Sequence, residues 1–174
     1  MRSKRVGVQR GFLSIEALGS GFYWLMGMIL AFGAVGAVYK LTSSNQEIQN
    51  TNQLLQVTRH LKSSRGYKKG SLVSELIKLS MIPNTVTISG NRLYNTHGGE
   101  IIIKGNDSRI GYTLETRDIP QDECIKLASN ISRGSLVSKT KINSGQEING
   151  EVEPDVAVTL CSEEKNIILF STRT

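Results

Sequence analysis

From Phe12 to Tyr39 the chain runs for 28 residues with a single charged side chain, Glu16. A transmembrane helix needs about 20 apolar residues, so this segment is long enough to cross a bilayer. A carboxylate inside such a span costs roughly 2.5–3.5 kcal/mol on insertion scales and needs a chemical reason to be there. Four cations, Arg2, Lys4, Arg5 and Arg10, precede the run. The positive-inside rule therefore places the N-terminus in the cytoplasm and everything after the run outside it. Those four also account for most of the formal charge of +6: of the 21 basic residues 17 remain, against 15 acidic ones. The basic balance belongs to the extreme N-terminus, and no Lys/Arg run with interleaved aromatics follows it, so no nucleic-acid partner is expected.

After Lys40 the composition becomes that of a soluble protein. Residues 40–64 contain no Gly and no Pro and are rich in Gln, Leu, Glu and Lys, which predicts that a helix continues past the apolar run. At about 100° per residue, Leu41, Ile48 and Leu55 form one apolar stripe, and Leu54, Val57 and Leu61 form a second, roughly opposite. Two stripes suit a helix that serves its own domain on one side and neighbouring subunits on the other; a surface helix with ragged patterning is the alternative. Gly66 and Gly70 are the first stops. A continuous helix from Phe12 to about Arg65 would measure roughly 80 Å.

The rest reads as an α+β domain. A short helix is expected over Leu72–Leu79, ending before Pro83. Strands are expected at Thr85–Ser89, Glu100–Lys104 and Arg109–Thr116, with Gly105–Ser108 as the turn between the last two. Pro120 opens a helix over Gln121–Ile131. Residues 133–150, rich in Ser, Gly and Asn, suit a variable loop or a ragged strand pair. A helical turn around Pro154–Cys161 precedes a last strand, Asn166–Thr172. The expected divisions are 1–11, a basic leader; 12–65, the membrane-spanning and amphipathic helix; and 66–174, the head.

Cys124 and Cys161 are the two cysteines. Neither has a His or second Cys at ligand spacing, so no metal is expected. With a membrane segment ahead of them, they read as one disulfide formed outside the cytoplasm, against the alternative of two unlinked buried thiols. His97 lies beside Gly98 and Gly99, without a nearby carboxylate cluster, and suits a turn. No nucleophile elbow or triad is present. Neither catalysis nor a cofactor is expected.

Arg10-Gly11-Phe12-Leu13-Ser14-Ile15-Glu16 resembles the type IV prepilin signature: a basic leader, Gly, a hydrophobic residue, Glu at the fifth mature position and a long apolar helix. The resemblance implies cleavage between Gly11 and Phe12 by a prepilin peptidase that also N-methylates Phe12. It gives Glu16 a purpose. The new Phe12 amine lies one turn away, and the Glu16 carboxylate of an incoming subunit can reach the Phe12 amine of one already assembled. Gly19, Gly21, Gly27, Gly33 and Gly36 allow helices to approach closely but also weaken the span. In the second half, Met81-Ile82-Pro83, Asn95-Thr96-His97-Gly98-Gly99, Ile119-Pro120-Gln121 before Cys124, and Cys161 before an apolar strand resemble the type IVb major pilins. That resemblance implies a Cys124–Cys161 disulfide bounding a surface-exposed variable region.

The partners implied are other copies of the chain, the peptidase and methyltransferase, the inner membrane and its pilus-assembly machinery. The implied route leads from the inner membrane to an extracellular filament serving adhesion, aggregation or conjugation. The alternatives are a minor pilin, a type II secretion pseudopilin, or a secreted soluble binding protein cleaved after Val35-Gly36-Ala37 as an ordinary signal peptide.

Overall fold

The computed structural model describes residues 45–173 except 163. The leader and the apolar run, with Gly11, Phe12 and Glu16, lie outside these residues. Among the described residues no helix is long and apolar enough to cross a membrane.

Helix α1 is described over 45–59. Its buried side is Glu47, Asn50, Thr51, Leu54, Leu55 and Thr58, the spacing of one helix face. This corrects the expectation of two opposed apolar stripes. Leu54 and Leu55 are only one residue apart, and a buried face wider than 100° takes both. Ile48, Val57 and Leu61 pack half-buried against the same core. The outward side carries Asn52, Gln53 and Gln56, all exposed. The helix ends at Arg59, short of the stop expected near Gly66. The amides of His60, Leu61 and Lys62 bond three residues back, tightening the last turn. A tight hairpin then closes with Ser63 and Gly66 exchanging backbone bonds. Gly66 has φ +84°, and a Cβ there would lie 2.3 Å from the Arg109 carbonyl oxygen, so the position accepts only glycine.

Eight strands and three further helices follow: β1 Gly70–Ser71, α2 Val73–Lys78, β2 Thr87–Ser89, β3 Arg92–Tyr94, β4 Glu100–Gly105, β5 Tyr112–Ile119, α3 Gln121–Ser132, β6 Val137–Ile142, β7 Ile148–Asn149, α4 Pro154–Leu160 and β8 Asn166–Thr172. The strands make one antiparallel sheet in the order β2-β3-β4-β5-β8-β6-β7, with β1 also paired to β4. The final strand is therefore internal, flanked by β5 and β6. Strand periodicity puts Ile101, Ile103, Tyr112, Leu114, Ile168, Phe170 and Ile142 on the buried face. They share one core with Leu54, Leu55, Leu76, Leu127 and Ile131 of the helices.

Strand β5 begins three residues later than expected because the connection after β4 is longer than a tight turn. Asn106 bonds Gly111, Arg109 bonds back to Asn106, and Arg109 sits at φ +60°. Of the two readings of 133–150, the strand pair is the one observed, as β6 and β7.

Candidate assembly surfaces

Two structural features bear on how this domain presents itself to other molecules: the polar stretch of the α1 face, and the region closed by the cysteines.

The first turns of α1 bury polar groups where a helix ordinarily buries leucine. Glu47 is 1% exposed. Its Oε2 accepts from the Thr96 amide (3.2 Å) and the Thr96 hydroxyl (3.1 Å). Its Oε1 has no partner among the described residues, and neither has Asn50 Nδ2 one turn on. The Asn50 side-chain oxygen accepts from the Thr85 hydroxyl. Next to Thr96, His97 Nε2 lies 2.5 Å from Oε2 of Glu123, itself 3% exposed in the first turn of α3. A carboxylate at a helix N-terminus is favoured by the helix dipole. Glu123 thus reaches His97 from a distant helix, a single carboxylate partner that the sequence does not announce, while Glu47 bonds the adjacent Thr96. Even so, the described residues contain no group of three or more side chains able to hold a metal ion.

The Glu47 carboxyl is held above the ordinary glutamate range, first by burial, against the lowering effects of the Thr96 bonds and of His97, with Glu123 adding repulsion. An acid with a raised folded-state pKa stabilises the fold below its unfolded pKa, and that contribution is lost as pH rises through the folded value. Glu47→Gln keeps an acceptor for Thr96 and removes the charge. At pH 7 the variant is expected to be more stable than the wild type, by on the order of 1 kcal/mol. The advantage should vanish near pH 4, and thermal melting at the two pH values reads it.

The loop that supplies Thr96 and His97 is built on one side chain. Asn95 Oδ1 accepts from the amides of His97 (3.0 Å) and Gly99 (2.8 Å), while its Nδ2 donates to the Arg117 carbonyl (2.7 Å) and Thr116 Oγ1 (3.0 Å). Gly98 has φ +79°, and a Cβ on Gly99 would stand 1.9 Å from the Arg117 oxygen. The Asn-Thr-His-Gly-Gly motif is therefore a fixed turn that delivers two polar groups to α1 and α3.

Cys124 and Cys161 form a disulfide with Cα atoms 6.0 Å apart, joining the first turn of α3 to the end of α4. Nearby, Asn166 Oδ1 accepts from the Ser162 amide (2.7 Å) and Asn143 Nδ2 (2.8 Å), and its Nδ2 donates to the Ile119 carbonyl (3.0 Å). The bounded region is more than a surface loop. Leu127, Ala128, Ile131, Val137, Ile142, Val152 and Ala157 all lie in the core. It also exposes the α3–β6 turn at Arg133–Ser135, the β6–β7 turn and the outer side of α4, including Val156 and Val158.

A family model described as PilS N terminal matches residues 41–173. The chain belongs to the PilS family. A crystal structure of a type IVb pilin from Salmonella typhi shares the fold with a TM-score of 0.61 at 22% identity, over 75% of this chain and 99% of that one. An NMR structure of the type IVb pilin PilS from Salmonella typhi aligns with a TM-score of 0.50 at 23% identity, over 74% of this chain and 94% of that one. No curated protein sequence matches the chain. Family membership makes this PilS-family chain a pilin-type structural subunit and not an enzyme.

Of the residues singled out in the sequence, the structure joins Cys124 to Cys161, whereas Gly11, Phe12 and Glu16 fall outside the described residues. Sequence reasoning assigns no role to Glu47, Glu123 or Asn166, nor to Asn95 within the motif that contains it. Asn95 alone carried a sequence signal, an Asn placed before two glycines.

Proposed function

We propose that this chain is the major subunit of a type IVb pilus, cut between Gly11 and Phe12, N-methylated at Phe12 and polymerised through its N-terminal helix. The observation that carries the reading is one chain holding both a prepilin signature, Gly11-Phe12 with Glu16, and a PilS-family match over 41–173. The proposed divisions are the leader at 1–11, the helix at 12–65 and the head at 66–174.

The outward side of α1 over 45–59 is polar, so its described part offers amide groups to a neighbour and no apolar seam. The apolar contact that drives assembly would then come from Phe12–Tyr39, where trading lipid for sibling helices leaves hydrophobic burial nearly unchanged and small residues allow close packing. A peptidase and methyltransferase act on the precursor in the inner membrane, an assembly machine extracts it, and the heads form the filament's skin. Deleting the gene and imaging cells by electron microscopy tests this. The expected result is loss of all filaments of this type. Filaments that persist with only one property changed would make the chain a minor subunit.

A further inference from the structure

The fold gathers positive charge that the sequence scatters. Arg59 ends α1, Lys62 and Arg65 flank and occupy the hairpin that follows, Lys68 and Lys69 lead into β1, and Arg109 comes from the β4–β5 connection. Backbone contacts bring these segments together. The Tyr67 amide donates to the Arg109 carbonyl (2.9 Å), Gly66 packs against the same carbonyl, and Gly70 pairs with Gly105. Lys68 and Lys69 are paired with Glu75 and Asp107. Arg59, Lys62, Arg65 and Arg109 are exposed and have no carboxylate partner among the described residues. Beside them, Gln56, Arg59 and His60 line an open polar hollow of about 290 Å³.

We infer that this pole binds an acidic polysaccharide, a glycan chain bearing uronate, sulfate or phosphate groups. Four unpaired cations on a backbone fixed by the Gly66 clamp present a preorganised positive surface, which raises the local concentration of a polyanion. A second copy of the chain is a poorer occupant. The exposed carboxylates without an ion pair among the described residues that could meet the pole are Glu153 and Asp155 at the start of α4 and Glu164 before β8, divided between separate segments. A nucleic acid is poorer too. Base-binding surfaces offer aromatic faces for stacking, and here Tyr67 and Tyr112 are buried beneath the cations. Ile110, 61% exposed beside Arg109, instead offers an aliphatic contact to the CH face of a sugar ring.

The inference is independent of polymerisation and is tested on the full-length chain in detergent micelles. The probes are heparin, uncharged dextran and single-stranded DNA. Heparin is expected to bind, dextran not to bind, and DNA to bind more weakly than heparin at equal salt. A variant with Arg59, Lys62, Arg65 and Arg109 all changed to Gln should bind heparin at least about tenfold more weakly at low salt, with a shallower salt dependence. A control carrying Lys139→Gln and Lys141→Gln should bind as the wild type does. The basic leader is common to every variant and so does not separate them. An intact disulfide and unchanged melting temperature verify the fold of each. Equal weakening in pole and control variants would overturn the inference, as would tighter binding to DNA than to heparin.

Discussion

Glu16→Ala is expected to insert in the membrane and lose its leader normally, yet to yield at least about tenfold fewer filaments than the wild-type chain. The argument is electrostatic. A carboxylate in an apolar span costs roughly 2.5–3.5 kcal/mol, a penalty that, under the proposed processing, the Phe12 amine and the positive end of a helix starting there would soften. On the proposed docking, the carboxylate would meet the amine of a subunit already in place, in surroundings where a charge pair is screened far less than in water. A difference of only 1.4 kcal/mol per added subunit is tenfold in the assembly equilibrium. Quantitative blotting of sheared filaments against the membrane fraction measures the effect. Full filament yield from the variant would remove Glu16 from any docking role, and a block at leader removal would place its role earlier.

Cys161→Ser is expected to cost the head about 4 kcal/mol in the chain-entropy account of a cross-link across this sequence separation of 37. Both sulfurs are buried, Cys124 at 0% and Cys161 at 3% exposure, so the serine hydroxyl adds a desolvation cost of its own. The loss should concentrate where the bridge acts. α4 is held by the disulfide, by the Asn143 bond to the Leu160 carbonyl and by the packing of Ala157 into the core, whereas β4, β5 and β8 form the centre of the sheet. Limited proteolysis should therefore cut first within 124–161, and the melting temperature should fall by on the order of 10 °C. Unchanged protease resistance would contradict this.

How much of this was readable from the chain depended on the range of the interactions. β4, α3 and β8 were legible because local chemistry declares them: a run of β-branched residues in Glu100–Gly105, Pro120 ahead of α3, and an apolar run in Asn166–Thr172. β6 was only half legible. Its sequence, Val137–Ile142, is polar and basic, and it is a strand because β8 accepts it along the edge. β3 has three residues, too few for any period to show. The face of α1 was misread for a related reason. Glu47, Asn50 and Thr51 look like solvent residues, and their surroundings come from far along the chain: the Asn95 turn, 49 positions from Glu47 at Thr96, and Thr85, which bonds Asn50. The basic pole was invisible because net charge averages over residues that the fold segregates. By contrast, the signature at Gly11, Phe12 and Glu16 is a pattern local in sequence, and it lies outside the described residues.

The central claim is that a membrane-anchored precursor becomes a filament subunit when its charged leader is removed. The mass of the N-terminal peptide from purified filaments tests it most directly. An N-methylated peptide beginning at Phe12 is the predicted result. Filament protein that retains residues 1–11, or begins at Val38, would contradict it.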